Sequence, residues 1–531
     1  MKHFLRATAA LVIAALLAAA CGGDDDDGGG SAGGDGTSTT ADTGGSTGSG
    51  SELDRDAELR LATLANFTGW DPHRVAGVGG PPTAFLLQVY DRLVTFSGAD
   101  MEVVPMLATS WEFSDDLKSL TLSLRDDVVF HDGSAFDAEV AKANLERAAG
   151  LLPSNLKLTT LQSVTVVDDT TVRLDLSAPD GTILDKLGTW AGAMVSGQVV
   201  AQQDINANPA GSGPYVPVVA SSNETQVVYE RNDDYWDPEG AKVARVTVRS
   251  IPDELTRLNA FRAGELDLTF FSPATYPDLE GLSDAEVETY ESISPLVVAV
   301  NTKSEPGLTP EVLKALSLGI DRATIGSELF YDQCPAQVQP FAPTVVGYQD
   351  GLDDLEYDAD EARAQLEQAG GADLSVTMLV AAGLEPYAST AQVLQSQWQD
   401  LGLDVELTPL PGAEVSAAFG EGRGDTFTTL LIGGPSPAAA LNSYQARSAG
   451  YLPQSIIDAR AEADTYELDS DEAQEAWAGI GSELAESPVA IPVCRPRAFV
   501  VSRPGVVGGA DLPWLAVIQN MDWSALGVSA G

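Results

Sequence analysis

From about residue 57 onward the chain alternates two kinds of apolar spacing. Leu120-Thr-Leu-Ser-Leu124 and Val172-Arg-Leu-Asp-Leu176 put an apolar side chain at every second position, the period of a half-buried strand. Leu394, Trp398 and Leu401 recur instead at helical spacing, and Gly402 ends that helix before Leu403-Asp-Val-Glu-Leu407 returns to strand alternation. Boundaries are marked by capping chemistry. Asp137 predicts a helix start running through Arg147, and Thr309 does the same with Pro310 in the first helical position. Asp358 with Glu361 predicts a helix that stops at Gly370, and Asp132-Gly133 predicts a turn. Strands and helices interleaved in this way, without an internal repeat, predict an α/β architecture.

The first residues have a different pattern. Lys2, His3 and Arg6 precede an apolar run from Ala9 to Ala20, too short to span a bilayer and laid out as a signal peptide over 1–20. It ends in Ala18-Ala-Ala-Cys21, which suits lipoprotein processing with Cys21 as the lipidated residue; Leu17 stands one place before the usual Leu position, which Ala18 fills. Residues 21–56 continue as Gly, Ser, Thr and Asp, a composition that cannot bury enough apolar surface to fold and predicts an extended tether. Asp24 to Asp27 lack partner acids at calcium-loop offsets and read as part of that solvated tether. The expectation is an extracytoplasmic protein held at the cell membrane by its lipid.

Charge narrows the function classes. Seventy-eight acids against 29 Lys and Arg give a net charge of −49, which excludes nucleic-acid binding by counter-ion replacement. Beyond Cys21 only Cys334 and Cys494 remain; an oxidising exterior permits their pairing, and sequence leaves it undecided. His131 lies at a strand-to-turn junction, where it hydrogen-bonds a turn, and His73 follows Trp70-Asp-Pro72 in a loop. Outside the Gly- and Ser-rich tether no nucleophile elbow, zinc-protease motif, phosphate loop or dinucleotide fingerprint occurs, so the chain is read as a non-enzyme that needs no metal and no cofactor.

One segment is more specific. Trp111-Glu-Phe-Ser-Asp-Asp leads into Leu122-Ser-Leu-Arg-Asp-Asp-Val-Val-Phe-His-Asp-Gly-Ser, then Ala138-Glu-Val-Ala and Leu145-Glu-Arg147. In order follow Asn208-Pro-Ala-Gly-Ser-Gly-Pro-Tyr215, Glu230-Arg-Asn-Asp-Asp-Tyr-Trp236, Arg257-Leu-Asn-Ala-Phe-Arg-Ala-Gly-Glu-Leu-Asp267, Val300-Asn-Thr302, Ala315-Leu-Ser-Leu-Gly-Ile-Asp-Arg322 and Tyr357-Asp-Ala-Asp-Glu-Ala-Arg363. Over nearly all of 57–525 the chain resembles the family 5 extracellular solute-binding proteins, the dipeptide and oligopeptide receptors of ABC importers. Most of these motifs read as scaffold rather than as ligand contacts.

The resemblance implies a two-lobed type II periplasmic-binding fold with an extra subdomain inserted in lobe one. Lobe one then takes 57–80, 205–295 and 498–531, the insert 81–204 and lobe two 296–497, with crossings near Ser294–Asn301 and Pro492–Val501. It implies a monomer that captures a small solute or peptide by hinge closure and passes it to ABC permease and ATPase subunits. Peptide receptors of this kind hold the ligand carboxylate with an Arg before Pro-Tyr and the amine with an Asp in a Gly-Trp-x-x-Asp stretch. Here Glu385 stands in the Arg position, and Leu430-Leu-Ile-Gly-Gly-Pro-Ser-Pro437 has neither Trp nor Asp. The chain is therefore expected not to clamp a free dipeptide by its ends, leaving longer peptides, oligosaccharides or cationic compounds. The expected cleft residues are Phe67, Trp70, Asp71 and Val78, with Glu385, Tyr387, Gly433, Gly434 and Ser436 opposite; Trp70 serves equally well as core.

Overall fold

The computed structural model describes residues 52–74, 84–97, 102–152, 158–202, 204–304, 307–353, 357–431, 436–508 and 522–530. Cys21, Val78, Gly433 and Gly434 lie outside them.

Three large sheets, beside two small two-stranded ones, organise the described residues. The first has seven strands in the order Glu286–Tyr290, Ala498–Ser502, Leu268–Phe271, Glu58–Thr63, Arg245–Ser250, Gln226–Arg231 and Tyr215–Pro217. Glu58–Thr63 and Arg245–Ser250 pair in parallel from end to end. Parallel neighbours need a crossover connection, and here it carries a further sheet. That four-stranded antiparallel sheet runs Ala108–Phe113, Ser119–Leu124, Thr171–Leu176, Leu161–Asp168. Leu120, Leu122 and Leu124 face inward on alternate positions, as the period predicts.

The five-stranded sheet is ordered Asp404–Leu410, Ser375–Ala381, Thr426–Leu430, Leu296–Val300, Ile491–Cys494. Every residue of Leu296–Val300 is buried, which is why that strand reads as an unbroken apolar run. Helix Tyr387–Asp400 joins the parallel pair Ser375–Ala381 and Asp404–Leu410, burying Leu394 and Trp398 in the same core.

The capping signals act as written. Asp137 accepts from the Val140 N–H, Thr309 from Val312, and Asp358 from Asp360 and Glu361. The first of these helices runs to Leu151, past Arg147, until Leu152 takes the extended backbone that a following proline imposes. Gly211 docks against the Val89 carbonyl oxygen, which a β-carbon there would approach to 1.7 Å, so only glycine fits. His131 faces the Gly213 carbonyl through Nε2 at 2.9 Å, and burial pushes its imidazole down to about 4, so it sits neutral on that turn.

The chain passes between the seven- and five-stranded sheets twice, between Tyr290 and Leu296 and between Cys494 and Ala498. Glu291 in one passage meets Arg497 at 2.6 Å and Arg495 at 3.6 Å in the other. Beside the second passage Cys334 and Cys494 form a disulfide, with Cα atoms 5.3 Å apart.

Candidate functional site: a cavity between insert and second lobe

A cavity of about 520 Å³ opens between the four-stranded insert and the lobe built on the five-stranded sheet. The insert contributes Glu102 and Val103, then Trp111 and Phe113, which alternate along strand Ala108–Phe113 and so share one face. It adds Gly181, Leu184 and Asp185 around the short helix Ile183–Leu187. The second lobe supplies Thr344 and Val346, Ser436 and Pro437, and the turn Glu467-Leu-Asp469 ahead of helix Asp471–Glu486. Volume and mixed lining are those of a small-molecule site.

Insert and lobe touch through main chain beside this cavity. The Gly181 N–H donates to the Asp464 carbonyl at 3.0 Å, and a β-carbon at Gly181 would lie 1.8 Å from the Tyr466 carbonyl oxygen. Four lining residues are acids, and among the described residues none of the lining is basic. Asp180, next to the cavity, is matched by Lys186 at 2.6 Å and accepts from Thr160 and Thr182. Asp185 is different. It is 8 % exposed and its Oδ2 has no hydrogen-bond partner. Burial pushes its carboxyl up to about 7, against its own backbone N–H and the pull of Lys186.

The residues singled out from sequence separate into groups. Trp70 is a core side chain, 3 % exposed and edge-on to Tyr229, with Phe67 packed between it and Phe85. Asp71 accepts from both Nη atoms of Arg147, at 2.9 and 2.5 Å. His73 Nδ1 accepts from the same guanidinium at 2.7 Å while its Nε2 faces the Ala193 carbonyl; burial pushes it down to about 4. The cleft roles expected for Trp70 and Asp71 are thus corrected: the first fills the core, and the second fastens its loop to helix Ala138–Leu151. Glu385 is exposed and accepts from the Ser389 N–H, a helix-start bond. Tyr387 packs against the second-lobe core, its hydroxyl pushed up to about 12 by burial and by Glu254 of the first lobe. Ser436 is buried, lines the cavity and caps helix Pro437–Arg447 through Ala439. Asp185 was not singled out, since nothing in its local sequence distinguishes it among 78 acids.

The sequence of residues 102–452 matches the model of the bacterial extracellular solute-binding proteins, family 5 Middle. The chain is a family 5 extracellular solute-binding protein. Its relatives include the glutathione-binding protein GsiB of Salmonella paratyphi A, 30% identical over 69% of this chain and 72% of that one. The di/tripeptide-binding protein 2 of Pseudomonas aeruginosa is 26% identical over 71% and 76%. Among solved structures, NikA from Brucella suis in complex with Fe(III)-EDTA superposes with a TM-score of 0.75 at 26% identity, covering 89% of this chain and all of that one. This solute-binding protein therefore has the two-lobed type II fold with an inserted subdomain, and the cavity lies between the insert and the lobe built on the five-stranded sheet.

Proposed function

We propose that the protein is the substrate-binding lipoprotein of an ABC importer, capturing a peptide-like solute by hinge closure and delivering it to a permease. The observation that carries this reading is the cavity with one wall on the insert and the other on the second lobe, in a chain whose main sheets are joined by two short passages. A solute touching both walls stabilises their approach by its differential affinity for the closed arrangement. Lobe one is assigned to 57–80, 205–295 and 498–531, the insert to 81–204 and lobe two to 296–497, in keeping with the strands each sheet draws on. Peptide- and glutathione-binding relatives support a peptide-like solute. Glu385 in place of the expected Arg supports recognition other than by the ligand carboxylate.

Thermal unfolding of the purified exported chain tests this, against di-, tri- and oligopeptides, oligosaccharides and organic cations. A true solute at about 100 times its dissociation constant adds about 2.7 kcal/mol, a readable shift. No shift with any solute sinks the receptor reading. Lipid attachment at Cys21 is tested separately: Cys21→Ser should release the protein from the membrane fraction, and retention there would refute the anchor.

A further inference from the structure

Buried carboxylates are ordinarily matched by a cation or by several N–H and O–H donors, as Asp180 is by Lys186, Thr160 and Thr182. Asp185 lines the cavity with no such match, its Oδ2 buried and unpartnered. Lys186, the cation that acts on Asp185, is engaged with Asp180, and Arg460 is held by Asp464 at 3.5 Å and Asn442 at 2.6 Å. On the far wall Glu467 and Asp469 add negative charge. Acids on both walls repel when the walls approach, so the empty cavity resists closure and a positive charge between them favours it.

We propose that Asp185 is the counter-ion for a cationic nitrogen of the solute, an alkylammonium or guanidinium group whose carbon stem lies against Trp111, Phe113 and Leu184. This inference rests on the receptor reading above and adds the chemical class of the solute. The two aromatic residues share one strand face on the cavity, where ring faces attract a cation and ring carbons cover an aliphatic stem. Ser436 is already bonded to Ala439, and of the four lining acids Asp185 is the buried one, the other three being exposed to water. The raised carboxyl of Asp185 fits this role, because an arriving cation favours its ionised form and binding near neutral pH releases protons.

Isothermal calorimetry on the purified exported chain tests the assignment with four probes: acetyl-Ala-Lys-Ala-amide, the neutral acetyl-Ala-norleucine-Ala-amide, agmatine and spermidine. The lysine tripeptide or one of the free cations should bind on the order of thirtyfold more tightly than the neutral tripeptide, the worth of one charge-assisted hydrogen bond. The better of the two arms names the source, a basic peptide or a free polyamine. Asp185→Asn should erase that margin while leaving the neutral tripeptide unaffected. Asp185→Glu, which keeps the charge, should retain most of it, as a merely structural carboxyl would not. Equal binding of charged and neutral probes, or a margin that survives Asp185→Asn, overturns the inference and leaves the receptor reading standing. The same holds if only uncharged solutes from the wider panel bind. If nothing in that panel binds, both fall.

Discussion

Glu291 accepts a hydrogen bond from Arg497 at 2.6 Å across the two separate passages that join the main sheets. Arg495 approaches the same carboxylate at 3.6 Å. Exposed ion pairs contribute only about 0.2–1 kcal/mol to stability, so Glu291→Gln should barely move the melting temperature. Its effect should appear in the balance between open and closed forms. The two passages lose their cross-link, the unliganded radius of gyration in small-angle scattering grows, and solute affinity falls by up to about fivefold. Unchanged scattering and affinity would show that the pair does not report on the hinge.

Arg147 holds Asp71 and His73 together, joining the loop after the first strand to the insert's helix. Removing the guanidinium leaves the Asp71 carboxylate, 6 % exposed, with only the exposed Arg74 at 3.2 Å as a cation. Breaking such a pair costs about 3–5 kcal/mol. Arg147→Met should therefore lower the urea midpoint markedly. Asp71→Asn should cost less and leave solute affinity unchanged; a large affinity loss there would restore Asp71 to the cleft.

Gly181 sits where any side chain strikes the Tyr466 carbonyl. Gly181→Val should act as a wedge between insert and second lobe, lowering solute affinity at least tenfold while the unliganded melting temperature moves little. Wild-type affinity in this variant would mean the contact is absent from the bound form.

Asp185 has its carboxyl raised from the ordinary 3.8 to about 7 by burial. The folded chain holds that proton longer than the unfolded one, so the residue's contribution to stability is complete below about pH 4 and is lost as pH rises to about 7. Asp185→Asn should accordingly be more stable than the wild type at pH 8, by about 2–4 kcal/mol, and nearly equal to it at pH 4. His73 and His131 act with the opposite sign. Both are pushed down to about 4, so their contribution is present above about pH 6.5 and lost as pH falls to about 4. Urea midpoints at the two pH values read the difference, and a pH-independent gap between variant and wild type would refute the burial of Asp185.

What the sequence disclosed follows the range of the interactions involved. Helix starts at Asp137, Thr309 and Asp358 were legible because a cap bonds an amide two or three residues away. The strand Leu296–Val300 was not marked by alternation, since both its faces are covered. The site was much less legible. Asp71 and Arg147 are 76 residues apart, so the loop acid that looked free for a ligand could not be seen to have a partner. Trp70 carries the same letters whether it meets Tyr229 or a solute. Asp185 lies in a five-residue helix, and its significance comes from Thr344, Val346 and the 467–469 turn, brought opposite it by the fold. The ordered set of family motifs pointed to the architecture but is mostly scaffold: Asp91, for instance, is where Tyr235, Trp236 and Ser212 converge.

The Cys334–Cys494 bond spans 160 residues and ends on the last residue of the strand that leads into the second passage. A cross-link of that span removes about 2–5 kcal/mol of freedom from the unfolded chain. Reduction of the bond should therefore give a dithiol chain of the same sequence without that restraint. The dithiol should unfold at distinctly lower urea, and so be digested first by any protease that samples opened chains.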